Sequence, residues 1–198
     1  MSDAGSVHMG PAWFARPTTA EIEDLLGAAR RGTPTFAGTD ASAAAPAGFR
    51  HERWTRRIGV LAGENFSGVG EAILTYDMQR GAGFAIHPTD ARAEVDATVL
   101  VVAGLGPRGK FPWTVAPCRV IDVRRDENEI GFTYATLPGH AEDGVERFAV
   151  RRAPTGAAEL IVEAISRPSL AILRLGAPVA RRVQTSIAMR YLDSVTLR

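Results

Sequence analysis

Apolar and polar residues alternate over short runs through most of the chain from Asp96 to Ser166, and this period of two predicts strands. The predicted strands are Asp96–Gly104, Ala116–Arg125, Glu129–Thr136, Val145–Arg152 and Ala158–Ser166. Arg125-Asp126-Glu127-Asn128 and Pro154-Thr155-Gly156 supply turn residues between them. An earlier strand is predicted over Phe49–Val60, where the apolar contrast is modest, and a short one over Gly83–His87 that stops at Pro88. The period changes to that of a helix in three places. Ile22, Leu25 and Leu26 make a helical face through about Arg31, and Thr18 with Glu21 before it has the form of a capping box. Phe66, Val69, Ile73, Tyr76 and Met78 predict a helix from about Glu64 to Arg80, capped by Asn65 or Ser67 and ended by Gly81 and Gly83. Val179, Val183, Ile187, Tyr191 and Val195 predict a long C-terminal helix from about Pro178, with Arg181, Arg182 and Arg190 mainly on the wet side. Gly176-Ala177-Pro178 breaks the segment before it, so that either a short helix at Ser169–Leu175 comes first or one helix kinks there.

Strands grouped apart from helices indicate an α+β layer fold. A bent antiparallel sheet wrapped around one long helix satisfies this order and gives the C-terminal apolar stripe a place to lie. Residues 32–48 are rich in Ala, Gly, Thr and Pro and read as a loop or linker. The expected division is therefore an N-terminal extension over 1–48, with a short helix and a loop, and a domain over 49–198.

Composition narrows the function classes. The 198 residues suit one domain, and 45% apolar residues suffice for a core. A net charge of +1 supplies no global field toward nucleic acid or a membrane surface. No apolar run approaches the roughly 20 residues needed to span a bilayer. The N-terminal stretch lacks the basic start and apolar core of a secretion signal. The single cysteine, Cys118, excludes an intramolecular disulfide and any CxxC site. A cytoplasmic location is the resulting expectation. His8, His51, His87 and His140 are scattered without metal-ligand spacing, so neither metal nor cofactor is expected. Gly104-x-Gly106-x-x-Gly109-Lys110 resembles a phosphate loop but opens into Phe-Pro-Trp rather than a helix, which removes the anion site that a helix N-terminus would give. The Arg53–Arg57 run alternates on a strand and reads as a solvated face, and no nucleic-acid module is present.

Several stretches together resemble a known family. They are Ile58-Gly59, Phe66 with Ala72–Leu74, Ala116-Pro117-Cys118-Arg119-Val120, Gly131-Phe132-x-Tyr134-x-Thr136-Leu137-Pro138-Gly139-His140, Glu146-x-Phe148, Ser166-Arg167-Pro168 and Gly176-x-Pro178-Val179-Ala180-Arg181. On these the chain, from about Arg16 onward, resembles uncharacterised protein family 0548, a domain-of-unknown-function family. Tyr76 stands where that family is expected to carry Trp, and the Ala-rich 41–47 loop departs from its N-terminal pattern. The last strand and helix in turn look like the START/birch-pollen-allergen helix-grip superfamily (SRPBCC-like). That resemblance implies a curved antiparallel sheet, a long C-terminal helix and an internal cavity for an apolar ligand. The superfamily holds carriers, receptors, cyclases and hydrolases, so fold alone does not choose among them.

The candidate site residues follow from this frame. Phe132, Tyr134 and Thr136 share strand parity and face one way, so Tyr134 and Thr136 are candidates for polar contacts in an apolar cavity. His140 and Glu146 are candidates for an acid–base pair at the cavity mouth, while Leu137-Pro138-Gly139-His140 also has a sufficient rationale as a hairpin turn. Arg167 could hold a ligand carboxylate or phosphate, or pair with a surface acid beside a helix start at Ser166 and Pro168. Cys118, with no base beside it, reads as a small buried apolar residue. The leading expectation is a non-enzymatic container for a small hydrophobic molecule such as a lipid, isoprenoid or polyketide, with Tyr134, Thr136, His140 and Arg167 as its polar contacts. The competing one is a cyclase, dehydratase or hydrolase that moves protons with His140 and Glu146 in the same cavity. A third is an interaction module with Trp54, Phe111 or Trp113 as an exposed anchor.

Overall fold

The computed structural model describes residues 12–104, 112–169 and 177–195. The elements in chain order are α1 (Thr19–Arg31), β1 (Arg50–Val60), α2 (Gly63–Leu74), α3 (Asp77–Gly81), β2 (Ala85–Pro88), β3 (Thr98–Gly104), β4 (Trp113–Arg125), β5 (Glu129–Thr136), β6 (Glu142–Arg152), β7 (Ala157–Pro168) and α4 (Ala177–Ser194). The strands form one antiparallel sheet in the order β1-β7-β6-β5-β4-β3-β2. Six of them run as a meander, and β1 closes on β7 from the far side. This is the expected α+β helix-grip architecture. α2 and α3 carry the chain from one sheet edge to the other, and α2 packs across β5 and β6. Bulges between Arg57 and Gly59 and between Val120 and Asp122 bend β1 and β4, which helps the sheet to curve.

Alternation sorts the side chains to two faces. On β3, Val99 and Val101 join the inner core while Leu100 and Val102 face outward. On β5, Phe132 and Tyr134 face in and Ala135 faces out. The inner core is rich in aromatics: Phe148 lies 5.4 Å from Phe132 and from Tyr134, and 5.1 Å from Tyr191 of α4. The outer face is covered as well. α1 packs on Leu100, Val102, Val115 and Leu137, and Phe36, Ala41 and Phe49 pack on Ala135, Val145 and Ile165. Trp13 exchanges backbone hydrogen bonds with Trp113, Thr35 N–H donates to Thr136 C=O at 2.9 Å, and Arg119 donates to the C-terminal carbonyls of α1 at Ala29 and Arg30. Residues 12–49 thus form a strap across the outer face, ending where β1 begins.

The local signals were met unevenly. The capping box is present, with Thr18 Oγ1 accepting from Glu21 N–H and the Glu21 carboxylate accepting from Thr18 N–H at 2.7 Å. The helix expected over Glu64–Arg80 breaks in two at Tyr76, whose φ of 64° is left-handed. That conformation costs a non-glycine residue about 1–2 kcal/mol. It drives the Tyr76 ring into the core, edge-on to Phe132 at 5.5 Å, and burial of a large side chain offsets the cost. Neither Asn65 nor Ser67 caps α2, which starts earlier, at Gly63, with Ala62 in the cap position. β4 starts at Trp113, opposite Gly104 of β3 and bridged on its other side by Trp13, and β6 starts at Glu142 opposite Pro168. The apolar pattern missed that start because Glu142 and Gly144 line a cavity instead of a packed core.

α4 explains where that cavity lies. Its C-terminal half is clamped: Tyr191 and Leu192 are buried, Ser194 Oγ donates to Met78 C=O at 2.7 Å, Arg56 bonds Leu192 C=O and Asp193, and Arg190 bonds Ala82 C=O. One turn and more upstream, Val183 is 41% exposed although it lies on the predicted apolar stripe. The helix stands off the sheet there and leaves a space. The short helix expected at Ser169–Leu175 and the Gly104–Lys110 loop lie almost wholly outside the described residues.

Candidate functional site

Between α4 and the inner face of the sheet lies a cavity of about 340 Å³. Its wall is mainly apolar, with Trp54, Phe84, Val101, Ala116, Ile187 and Tyr191 among the lining residues. Its polar groups come chiefly from β5, β6 and the hairpin between them, together with Ser166 and Gln184. Glu142, Gly144 and Glu146 follow one another along the inner side of β6. Gly144 is required by close approach, since a Cβ there would stand 2.1 Å from Ile165 C=O on β7.

Cross-strand register sets the central pair. Tyr134 on β5 lies opposite Glu146 on β6, and its hydroxyl donates to Glu146 Oε2 at 2.6 Å. Burial pushes the Glu146 carboxyl up to about 7; the Tyr134 bond pulls the other way and Glu142 adds to the rise. Burial, followed by the Glu146 charge, also lifts the phenols of Tyr134 and Tyr191 and the Cys118 thiol well above their ordinary ranges. Cys118 is therefore held as a thiol in the core, as expected of a buried free cysteine. Glu142 is also raised by burial, against hydrogen bonds from Ser166 and Gln184. The Gln184 amide spans to Glu142 at 2.8 Å and to Ser166 Oγ at 3.1 Å, tying α4 to β6 and β7.

His140 closes the hairpin turn. Gly139 takes a φ of 96°, where glycine is favoured, and His140 N–H donates to Leu137 C=O at 3.1 Å. His140 Nδ1 lies 2.9 Å from Glu142 N–H and 3.0 Å from Glu142 C=O; because the amide N–H can only donate, Nδ1 is assigned as its acceptor and the ring proton to Nε2. Burial pulls the imidazole down to about 4, so it is neutral around pH 7.

Both members of the predicted His140–Glu146 pair line the cavity, but among the described residues no hydrogen bond joins them. Glu146 is paired with Tyr134 instead. Tyr134 faces the cavity as its parity required. Thr136 also lines it, yet its hydroxyl is engaged with Thr35 Oγ1 at 2.6 Å and with the Gly144 backbone. Arg167 is not brought to the cavity: it lies on the other side of β7, pairing with Asp143 at 3.2 Å and covering the Phe49 ring at 4.6 Å. Strand alternation is the reason, since Ser166 and Pro168 take the inward positions. Trp54 lines the cavity, and Trp113 is bridged by Trp13 and covered by Arg16 at 5.6 Å, so neither is an exposed anchor; Phe111 lies outside the described residues. Sequence reasoning missed Gln184 and Tyr191 as cavity residues. A polar Gln beside the apolar stripe of α4 was the available signal. Among the described residues no three His, Cys, Asp or Glu side chains gather into a metal-binding group, and no helix is long and apolar enough to cross a membrane.

The model of the family described as Domain of unknown function (DUF1990) matches residues 34–194. The chain belongs to this family. The match begins within the strap, so the DUF1990 region takes in part of the outer layer as well as the sheet and α4. A UPF0548 protein of Deinococcus radiodurans is 26% identical over 191 residues, covering 88% of this chain and 92% of that protein. The family suggested by the sequence motifs is thus shown. Among solved structures, ginseng major latex-like protein 151 from Panax ginseng aligns with a TM-score of 0.45 at 9% identity, covering 74% of this chain and 99% of its own. Ara h 8.0201 aligns with a TM-score of 0.44 at 10% identity, with the same two coverages.

Proposed function

We propose that this DUF1990 protein binds a small, largely apolar ligand in the cavity between α4 and the inner sheet face. The observation that carries this reading is the cavity of about 340 Å³ with an apolar wall and a few convergent polar groups at β5 and β6. Such a combination, at the lower end of the usual size range of roughly 300–1,000 Å³, is the ordinary form of a small-molecule site. Apolar burial would supply most of the affinity at roughly 25 cal/mol per Å². Tyr134, Glu146, the Nε2–H of His140 and Gln184 would orient the ligand. A lipid, isoprenoid or polyketide fragment fits this description, and we assign the activity to the cytoplasm, in keeping with the thiol form of Cys118.

The test is native mass spectrometry of the purified protein with organic extraction of what it retains. A retained apolar compound, lost from an Ala164→Phe variant that fills the cavity, is the expected result. A clean apo mass, with no binding from a panel of apolar small molecules, would overturn the reading.

One observation favours an enzymatic reading as the second choice. A carboxyl pushed up to about 7 inside a cavity has the affinity for protons that general acid–base work at neutral pH requires. The proton-transfer pair would then be Glu146 with Tyr134, and His140 would stay neutral as a hydrogen-bond donor. This reading expects wild-type protein to convert its retained compound and Glu146→Gln to bind it unchanged. Recovery of the compound intact from both would exclude it.

A further inference from the structure

Resting on the cavity being a ligand site, we propose that its ligand is a hydrophobic amine whose ammonium group sits at the Glu146 carboxyl beside the rings of Tyr134 and Tyr191, and that the cavity discriminates against carboxylates. Among the described residues the cavity wall carries two carboxyl side chains, Glu142 and Glu146, and no Lys or Arg. His140 is neutral there. Two described cations on the surrounding elements are bonded elsewhere. Arg56 of β1 bonds Leu192 C=O and Asp193, and Arg190 of α4 bonds Ala82 C=O and lies over the Phe84 ring at 4.8 Å. Arg50 and Glu52 of β1 act on Glu142 and not on Glu146.

Glu146 is the group left wanting. Glu142 has Gln184. Glu146 has one phenol on Oε2, and among the described residues no hydrogen bond reaches Oε1. The described groups it interacts with are Tyr134 from β5, Cys118 from β4, Tyr191 from α4 and Glu142 on its own strand, none of them cationic. Tyr191 is 3% exposed, lines the cavity, and makes no hydrogen bond through its hydroxyl among the described residues. A buried carboxyl without a counter-charge holds its proton to higher pH than an ordinary one. An ammonium ligand supplies that charge: the Glu146 proton leaves to solvent, an ammonium–carboxylate pair forms, and the site's net charge is unchanged. The faces of Trp54, Tyr134 and Tyr191 add attraction for a cation. A carboxylate ligand would meet two acids and, among the described lining residues, no cation. A neutral alcohol would gain hydrogen bonds only.

The experiment compares phenylbutylamine, phenylbutanol and phenylbutyrate, matched in apolar body, by isothermal titration calorimetry in buffers of different ionisation enthalpy. Wild-type protein is expected to bind the amine at least about tenfold more tightly than the alcohol, with the butyrate weakest. Amine binding should release close to one proton at about pH 6 and almost none at about pH 8.5, because Glu146 is then already ionised. Glu146→Gln should lose the amine preference and the proton release while still binding the alcohol. Proton release by wild-type protein tests the idea even if that variant does not fold. If the alcohol or the butyrate binds as tightly as the amine, the inference fails and the container reading stands. If none of the three binds to folded protein, the container reading fails and this inference with it.

Discussion

The two faces of the sheet each bury a glutamate, and they treat it differently. On the outer face Glu163, 1% exposed, is met by Arg147 at 3.4 Å, Arg53 at 3.5 Å and His51 at 3.0 Å, and Arg147 reaches on to Glu129 at 3.4 Å. On the inner face Glu146 meets a phenol and, among the described residues, no cation, and burial pushes it up to about 7. Both are products of the same register, which stacks Thr133, Arg147, Glu163 and Arg53 on one side and Tyr134, Glu146, Ala164 and Glu52 on neighbouring inward positions. The outer row is a charge network that contains its own cations. The inner row is open toward a cavity. A buried acid supplied with its own counter-charge reads as structure, whereas one denied it reads as a site awaiting a partner.

Four single substitutions and one double variant sharpen that contrast. The largest effect belongs to Phe148→Ala, which empties the aromatic cluster joining the sheet to Tyr191 and should cost roughly 4 kcal/mol by urea denaturation. A loss below about 1 kcal/mol would mean that the inner face is not a packed core. Next, Arg147→Met strands Glu163 and Glu129 without their shared cation and should cost about 3 kcal/mol. The double variant with Glu163→Gln should recover part of this, and strict additivity would show that the outer network is not coupled.

Glu146→Gln should move stability the other way above neutral pH. The folded carboxyl is raised from an ordinary 4.5 to about 7, so its contribution is complete below the ordinary value and lost as pH rises through about 7. His140 works in the opposite direction. Its folded value is lowered from 6.5 to about 4, so its contribution is present above 6.5 and lost as pH falls through about 4. Removing the Glu146 ionisation should therefore improve stability at about pH 8 relative to about pH 5 by roughly 2 kcal/mol compared with wild type. Parallel pH profiles for the two proteins would contradict the assignment. The smallest effect is Thr18→Ala in the strap, about 1 kcal/mol from the lost cap, read as a lower Tm.

Much of the fold was legible because its signals are local. The capping box at Thr18 and Glu21 and the limits of β5 at Glu129 and Thr136 depend on neighbours in the chain, and each was found where the pattern put it, while the C-terminal apolar stripe is buried at Tyr191 but not at Val183. Tyr76 was misread because its left-handed turn is stabilised by Phe132, far away in sequence. The strap was only half legible. Its Ala, Gly and Pro content describes a loop, but its value lies in Phe36, Ala41 and Phe49 meeting a sheet face that only the assembled fold creates. In the site, parity alone turned Tyr134 inward, and the same rule applied to Ser166-Arg167-Pro168 would have turned Arg167 away. Glu146 was picked out, but its partner was assigned by nearness in sequence to His140. Strand register gave it Tyr134 instead, and register between β5 and β6 is set by the whole hairpin and its turn.

The most direct test of the account is a carbon-13 NMR titration of glutamate side-chain carboxyls, with the Glu146 resonance assigned by its absence from Glu146→Gln. The account predicts a carboxyl that titrates near 7 in the unliganded protein. A Glu146 resonance that titrates near the ordinary 4.5 would contradict it, and with it the claim that the inner face holds an acid without a counter-charge.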